Sequence, residues 1–140
     1  MVKPSIQFVK REDDVKIAYS KFGRGQPLVC PSSWVTSLSY IFEDPFAKQF
    51  WERLAQEVTA ITYDKHGCGQ SDRNRKGFNL ETELLDLETV IDHLGLKEFN
   101  LLGSSMAGPV SIEYTARHPK KVMRLVLYDP YAIQGLCRNS

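Results

Sequence analysis

Histidine is scarce in this 140-residue chain, and no stretch is apolar for long enough to cross a membrane. The N-terminal residues lack the apolar core of a signal peptide. The three cysteines, Cys30, Cys68 and Cys137, include no Cys-x-x-Cys pair, which favours reduced thiols over a disulfide framework. Lysine and arginine (18) nearly balance aspartate and glutamate (17), so nothing in the charge favours nucleic acid. We therefore expect a soluble, cytoplasmic protein that binds neither membranes nor nucleic acid.

The three histidines each have an ordinary structural explanation. His93 lies off the apolar stripe of a predicted helix, near its C-terminal end, and should be solvated. His118 precedes Pro119 at another helix end, where a capping role is common. His66 lies in a loop with Cys68, and two such residues fall short of the four ligands that zinc prefers. The sequence therefore offers no histidine that is evidently a catalytic base, and no metal site.

Two glycine-rich segments also fail to match phosphate-binding motifs. The segment 67–72 has no glycine or alanine at its sixth position, as a dinucleotide loop requires. Gly103 to Gly108 has the spacing of a P-loop, but Pro109-Val110 follows where lysine and serine or threonine are needed. We expect no cofactor.

Strands and helices are predicted to alternate along the chain. The predicted strands cover residues 5–10, 15–21, 27–30, 59–63, 99–102 and 124–129, and the first two should form an antiparallel hairpin. One helix should begin at Asp44-Pro45, with an apolar stripe from Phe46 to Val58 that packs on a sheet. A second should run from an Asn79 cap to Gly95, and a third should end at His118. This order predicts an α/β fold with a mostly parallel sheet flanked by helices, and we interpret the last strand as buried.

A short basic cluster, residues 73–76, interrupts the pattern between a strand and a helix. It is broken by Asn74 and followed by Gly77. Short runs of charge are usually solvated, so we interpret this segment as an exposed loop.

Gly103-Ser104-Ser105-Met106-Ala107-Gly108 is the most informative segment. It lies between an apolar strand and a helix, which is the context of a serine nucleophile on a sharp strand-to-helix turn. The turn would lift the Ser105 hydroxyl out of the sheet. Met106 would then open a helix with an unpaired N–H, which could stabilise a developing oxyanion. Ser105 is therefore the candidate nucleophile and Met106 a candidate oxyanion donor.

Three segments, in this order, resemble the N-terminal half of the α/β-hydrolase fold family. They are the loop from Pro31 to Trp34, the segment 63–73 with its Asp-x-x-Gly-x-Gly-x-Ser pattern, and the turn from Gly103 to Gly108. The chain departs from the family at Ala107, where glycine is usual, and at Ser32-Ser33, where His-Gly is usual. The segments around Trp34 and Asp44 most resemble a bacterial subgroup found beside or fused to adenylate-cyclase-type regulatory domains.

The resemblance implies a serine hydrolase that acts on carboxylic esters or amides. It assigns a second oxyanion donor to the backbone N–H of Trp34. Serine in place of aspartate at position 105 points away from the dehalogenase and epoxide-hydrolase branches. The family order is serine, acid, histidine, and Asp129 is a candidate for the acid, with a structural aspartate before Pro130 as the alternative.

No residue in the sequence fits the histidine of that triad. We therefore expect a partial α/β-hydrolase domain over residues 1–131, cut after its sixth strand, and an unstructured tail over residues 132–140. Two functions follow. One is a serine hydrolase whose histidine lies beyond Ser140, so that the 140 residues alone are inactive. The other is a non-catalytic module that binds a partner or itself through an open last strand.

Overall fold

A computed structural model describes residues 4–34 and 36–131, and its centre is a six-stranded sheet. The strands are β1 (Gln7–Lys10), β2 (Lys16–Gly23), β3 (Gln26–Cys30), β4 (Val58–Tyr63), β5 (Phe99–Ser104) and β6 (Val122–Tyr128). Their order across the sheet is β1-β2-β4-β3-β5-β6. β2 is antiparallel to both β1 and β4, and the remaining neighbours are parallel. The mostly parallel sheet and the N-terminal hairpin predicted from the sequence are confirmed.

Four helices flank the sheet: α1 (Leu38–Glu43), α2 (Pro45–Leu54), α3 (Leu80–His93) and α4 (Gly108–Arg117). Successive residues of a strand point to opposite faces of the sheet. On β2, Ile17 joins the main core with the apolar residues of α3 and α4. Phe22, on the opposite face, makes edge contacts with Phe42 of α1 and Trp51 of α2. The helices therefore cover both faces. Among the described residues, no helix has the length and apolarity needed to span a bilayer.

α3 has the limits that its sequence predicts. The Asn79 side chain accepts a 2.9 Å hydrogen bond from the Thr82 N–H, and the Thr82 hydroxyl reaches back to complete a capping box. Gly95 follows the helix with a φ of 62°, a conformation that favours glycine. The apolar stripe of α3, including Leu84, Leu87 and Ile91, is buried in the core.

The prediction for the preceding helix is wrong in two respects. α2 ends at Leu54, and Val58 belongs to β4, where it pairs with Gln26 of β3. The predicted stripe also faces largely outward, since Phe46 is 83% and Phe50 52% exposed, while Trp51 contacts the sheet through Phe22. The pairing of Val58 with a strand distant in sequence overrides its helical spacing. The sequence pattern also missed the short helix α1.

β6 is exposed, so the interpretation of a buried strand is wrong, whereas the expectation of an open last strand is confirmed for the described residues. It begins at Val122, the one buried residue of the strand, and Met123, Val126, Leu127 and Tyr128 are 40–73% exposed. The physical reason is position, because β6 lies at the edge of the sheet with β5 as its single neighbour among the described strands. An apolar strand sequence alone does not show whether its faces are covered.

The interpretation of residues 73–76 as a solvated loop is wrong for Arg75. Its side chain is 2% exposed and donates to the backbone carbonyl of His66 (2.9 Å) and to Glu83 (2.7 Å). The guanidinium also lies 3.9 Å from the centre of the Phe78 ring. Arg75 therefore anchors the loop to the start of α3. The predicted tail, residues 132–140, lies outside the described residues.

Candidate active site

Ser105 lies on the sharp turn between β5 and α4 that the sequence predicts. β5 ends at Ser104, and a 3₁₀ turn, Ser105–Ala107, leads directly into the helix. The φ of Ser105 is +50°, in the left-handed region that non-glycine residues rarely adopt. Its carbonyl accepts hydrogen bonds from the N–H groups of Gly108 and Tyr131. A strained serine held in this way is typical of a functional site.

Glycines allow the close approaches that this turn requires. A Cβ on Gly103 would lie 2.7 Å from the Ser111 Oγ of α4, and one on Gly108 would lie 2.6 Å from the Cβ of Pro130. Ala107 is fully buried in the main core, so its methyl group has a place there. Alanine at this position is therefore compatible with the turn.

A cleft of about 620 Å³ opens beside Ser105 at the carboxyl ends of the parallel strands. Ser32, Ser33, Ser105 and Asp129 line it together. Its other walls are mainly apolar, from α1, α2 and the exposed face of β5 and β6. The arrangement provides a hydroxyl nucleophile beside a carboxylate and an apolar surface.

Asp129 follows β6 and shares the cleft with Ser105. It is exposed and has a φ of +44°, which aspartate tolerates better than most residues. The side-chain hydrogen bonds found across the described residues include none to its carboxylate. The structure thus places the candidate acid and the candidate nucleophile in one cleft.

The loop after β3 contacts the nucleophile turn directly. The Ser33 hydroxyl donates to the carbonyl of Ser104 at 3.3 Å. Trp34 follows Ser33 and is 67% exposed. Its candidate role concerns the backbone N–H and not the indole ring. Met106 is the second residue of the 3₁₀ turn, where a backbone N–H has no carbonyl within the helix to bind. The Ser33–Ser104 contact thus brings the loop that carries Trp34 to the turn that carries Met106, although neither Trp34 nor Met106 is among the residues that line the cleft.

None of the three histidines lines this cleft. The His93 Nε2 lies 3.2 Å from the Tyr19 hydroxyl, and the His118 ring stacks on Tyr114 and approaches Glu88. His66 is buried, and within the described part of the chain its Nε2 has no partner. The described residues thus bring no imidazole into the cleft with Ser105.

Asp86 of α3 is a buried carboxylate that the sequence interpretation missed. It accepts hydrogen bonds from the Arg11 guanidinium (2.5 Å) and from the His66 backbone N–H (2.8 Å). Burial raises the pKa of Asp86, and the His66 and Arg11 hydrogen bonds oppose that rise. The group links the first hairpin, the loop after β4 and α3, and neither Asp86 nor its partners Arg11 and His66 line the cleft. The helical spacing of α3 could have indicated the burial of Asp86, because this residue adjoins the apolar stripe of the helix.

Cys30 is the thiol that lines the cleft. It is 6% exposed, and burial raises the pKa of its thiol to about 12. A protonated, buried thiol is a poor nucleophile, since the thiolate is the reactive form. The reactive hydroxyl of Ser105 is therefore the better nucleophile candidate.

Comparison with known proteins agrees with this geometry. Residues 26–136 match the family described as the alpha/beta hydrolase fold. The chain belongs to the α/β-hydrolase fold family. It is 32% identical over 111 residues to the AB hydrolase superfamily protein YisY of Bacillus subtilis, covering 79% of this chain and 40% of that protein. It is 28% identical over 111 residues to a non-heme haloperoxidase of Rhodococcus erythropolis, covering 79% and 39%.

A solved structure gives the same result for the fold of this α/β-hydrolase. The epoxide hydrolase CorEH superposes with a TM-score of 0.77 at 24% identity, over 91% of this chain and 43% of that one. The chain thus spans about two fifths of the length of each of these three proteins.

Proposed function

We propose that this protein is a serine hydrolase of carboxylic esters or amides, with Ser105 as the nucleophile. The observation that carries the proposal is the backbone of Ser105, which holds φ at +50° between β5 and α4, on a residue that lines the cleft. A strained serine at that position is easily explained if its hydroxyl must project toward a substrate.

In this reaction the Ser105 Oγ attacks the substrate carbonyl and gives its proton to a general base. The carbonyl oxygen becomes an oxyanion, which the N–H groups of Met106 and Trp34 stabilise. The intermediate collapses, the alcohol or amine leaves with the proton, and water then releases the acid from Ser105. The base is a histidine outside the 140 residues, because no histidine of the described chain lines the cleft. The 140 residues alone should therefore be inactive.

Asp129 is the proposed acid of the triad. It lies in the cleft with Ser105, no hydrogen bond or ion pair to its carboxylate is found among the described residues, and it follows a parallel strand at its carboxyl end. An unoccupied carboxylate there could orient an imidazole. Substitution by asparagine would test this role in the active protein.

The type of nucleophile separates this chain from its structural neighbour. CorEH is an epoxide hydrolase, and the likeness to it at 24% identity concerns the fold. Serine at position 105 favours acyl transfer over the aspartate-dependent branches of the family. We also keep as a proposal the membership in the subgroup linked to cyclase-type regulatory domains, which depends on the sequence around Trp34 and Asp44.

The test is ester hydrolysis by the full-length product of the native reading frame, with 4-nitrophenyl esters of increasing acyl length. Ser105→Ala should reduce kcat/KM by at least about a thousandfold, since the nucleophile is lost. Thr89→Ala on α3 removes a hydroxyl that bonds within its own helix, and it should leave the rate unchanged. Full activity in Ser105→Ala would overturn the proposal.

A second function, self-association, is favoured by the edge strand β6. Its exposed residues Met123, Val126, Leu127 and Tyr128 lie on both of its faces, and β5 is its single described neighbour. Such an edge is a template for pairing with another chain, and a second copy of β6 presents the same apolar sequence.

The molar mass of the 140-residue chain by light scattering tests this second function. Val126→Lys should convert a dimer to a monomer, because lysine on an edge strand opposes pairing. Ile112→Lys on α4, which is 41% exposed, is the matched control and should leave the dimer intact. A monomeric parent chain would exclude self-association.

A further inference from the structure

Asp64, the residue after β4, is a second buried carboxylate, and it contacts two separate loops. Its side chain is 0% exposed. Its oxygens accept hydrogen bonds from the Leu38 N–H at 3.0 and 3.2 Å and from the Gln70 N–H at 2.8 Å. Leu38 begins α1 directly after the loop that starts at Pro31, and Gln70 lies in the loop after β4. The Asp64 carboxylate thus links the loop that carries Trp34 to the loop after β4.

Hydroxyl groups extend this contact toward the nucleophile. The Thr36 hydroxyl acts to lower the pKa of the Asp64 carboxyl, and the Thr36 Oγ1 lies 2.5 Å from the Ser32 Oγ. Ser33 is adjacent, and its hydroxyl bonds to the Ser104 carbonyl. The loop is therefore held on both sides of Trp34, by Asp64 on one side and by the nucleophile turn on the other.

Gly69 shows how closely the chain is built around this carboxylate. A Cβ at this position would lie within 2.0 Å of the Asp64 Oδ2. The φ of Gly69 is +51°, so the backbone also takes a conformation suited to glycine.

Burial raises the pKa of Asp64, and the hydrogen bonds from Gln70 and Leu38 and the Thr36 hydroxyl favour its charged form. Burial of a charged carboxylate costs free energy, and the hydrogen-bond donors around Asp64 offset part of that cost.

We infer that Asp64 is a positioning residue that fixes the backbone N–H of Trp34 at the oxyanion position beside Ser105. The inference rests on the proposed hydrolase function. Asp64 lies in the wall of the cleft but is 0% exposed, so in this proposal it acts through the loop it holds. If the Trp34 N–H moved by a fraction of an ångström, its hydrogen bond to the oxyanion of the transition state would weaken. Binding of the ester in its ground state would change little, so the loss would fall on kcat.

Asp64→Asn tests the role, because the amide keeps the shape of the side chain but replaces one acceptor oxygen with a donor. In the full-length protein we expect kcat to fall by about 10- to 100-fold with KM within about twofold. The matched control is Asp86→Asn, which removes another fully buried carboxylate that does not line the cleft and does not touch the loop that carries Trp34. It should lower stability but leave kcat unchanged. An equal loss of kcat in both variants would overturn the inference.

Amide hydrogen exchange in the 140-residue chain gives a readout that needs no activity. Asp64→Asn should speed exchange at the amides of Leu38 and Gln70 by at least about tenfold and leave that of His66 unchanged. Asp86→Asn should do the reverse. If the full-length parent shows no Ser105-dependent hydrolysis, the proposed function fails, while this measurement still decides whether Asp64 holds the loop. Unchanged exchange at Leu38 in Asp64→Asn would overturn the inference.

Discussion

The backbone N–H of Tyr131 donates a 3.0 Å hydrogen bond to the carbonyl of Ser105. This bond ties the segment after β6 to the turn that carries the candidate nucleophile. Pro130, just before Tyr131, packs against Gly108 so closely that a Cβ there would lie 2.6 Å away. The positive φ of Ser105 is therefore supported by two contacts from the segment after β6, and such surrounding contacts allow a strained residue to persist in a folded protein.

Ser105→Gly should be more stable than Ser105→Ala by about 1 kcal/mol, because glycine adopts a φ of +50° without the steric cost that alanine has. Urea unfolding of the two variants measures the difference. Ser104 provides the control, since its φ is −113° and alanine should there be the more stable of the pair. If the alanine variant were the more stable one at both positions, Ser105 would not be strained.

Gly69→Ala should destabilise the chain by more than about 2 kcal/mol, since its methyl group would overlap the buried Asp64 carboxylate. Gly77→Ala is the matched control. Gly77 also has a positive φ, +107°, but nothing lies within 4 Å of an added Cβ, so its cost is that of the backbone alone. Thermal unfolding compares the two, and equal losses would mean that the contact with Asp64 is unimportant.

Stability should depend on pH through Asp13. The hydrogen bond from Arg11 lowers the pKa of Asp13 from 3.8 to about 2. A lowered pKa means that the stabilisation is present above about pH 4, the value for an unfolded chain, and is lost as the pH falls toward 2. The side chain is half exposed, so solvent screening limits the effect to below about 1 kcal/mol.

Urea unfolding between pH 5 and pH 2.5 measures this loss, and Asp13→Asn should flatten the profile. Asp14→Asn is the control, since Asp14 is 90% exposed and lies 3.9 Å from Lys10. A profile that is flattened equally by both variants would exclude the Arg11 contact as the cause.

The sequence predicted features whose signals are local. The capping box at Asn79, the turn around Ser105 and the hairpin each depend on neighbours within a few residues. The errors concern long-range partners. Val58 joins β4 because Gln26 is available to pair with it, and Arg75 is buried because Glu83 and Phe78 surround it.

The role of Asp64 likewise depends on Leu38, 26 residues away. The exposure of β6 depends on which elements cover the sheet, and no pattern within seven residues can report that. The same limit applies to the candidate site, where the turn motif identified Ser105 and the family resemblance suggested Asp129, but neither could show that they line one cleft.

Covalent labelling of the protein from its native cell with a fluorophosphonate, mapped by mass spectrometry, tests the central claim most directly. The account predicts a single label on Ser105, in a product longer than 140 residues, and no label on the same product carrying Ser105→Ala. Ester hydrolysis by a product in which Ser105 remains unlabelled, or a label on another serine, would contradict it.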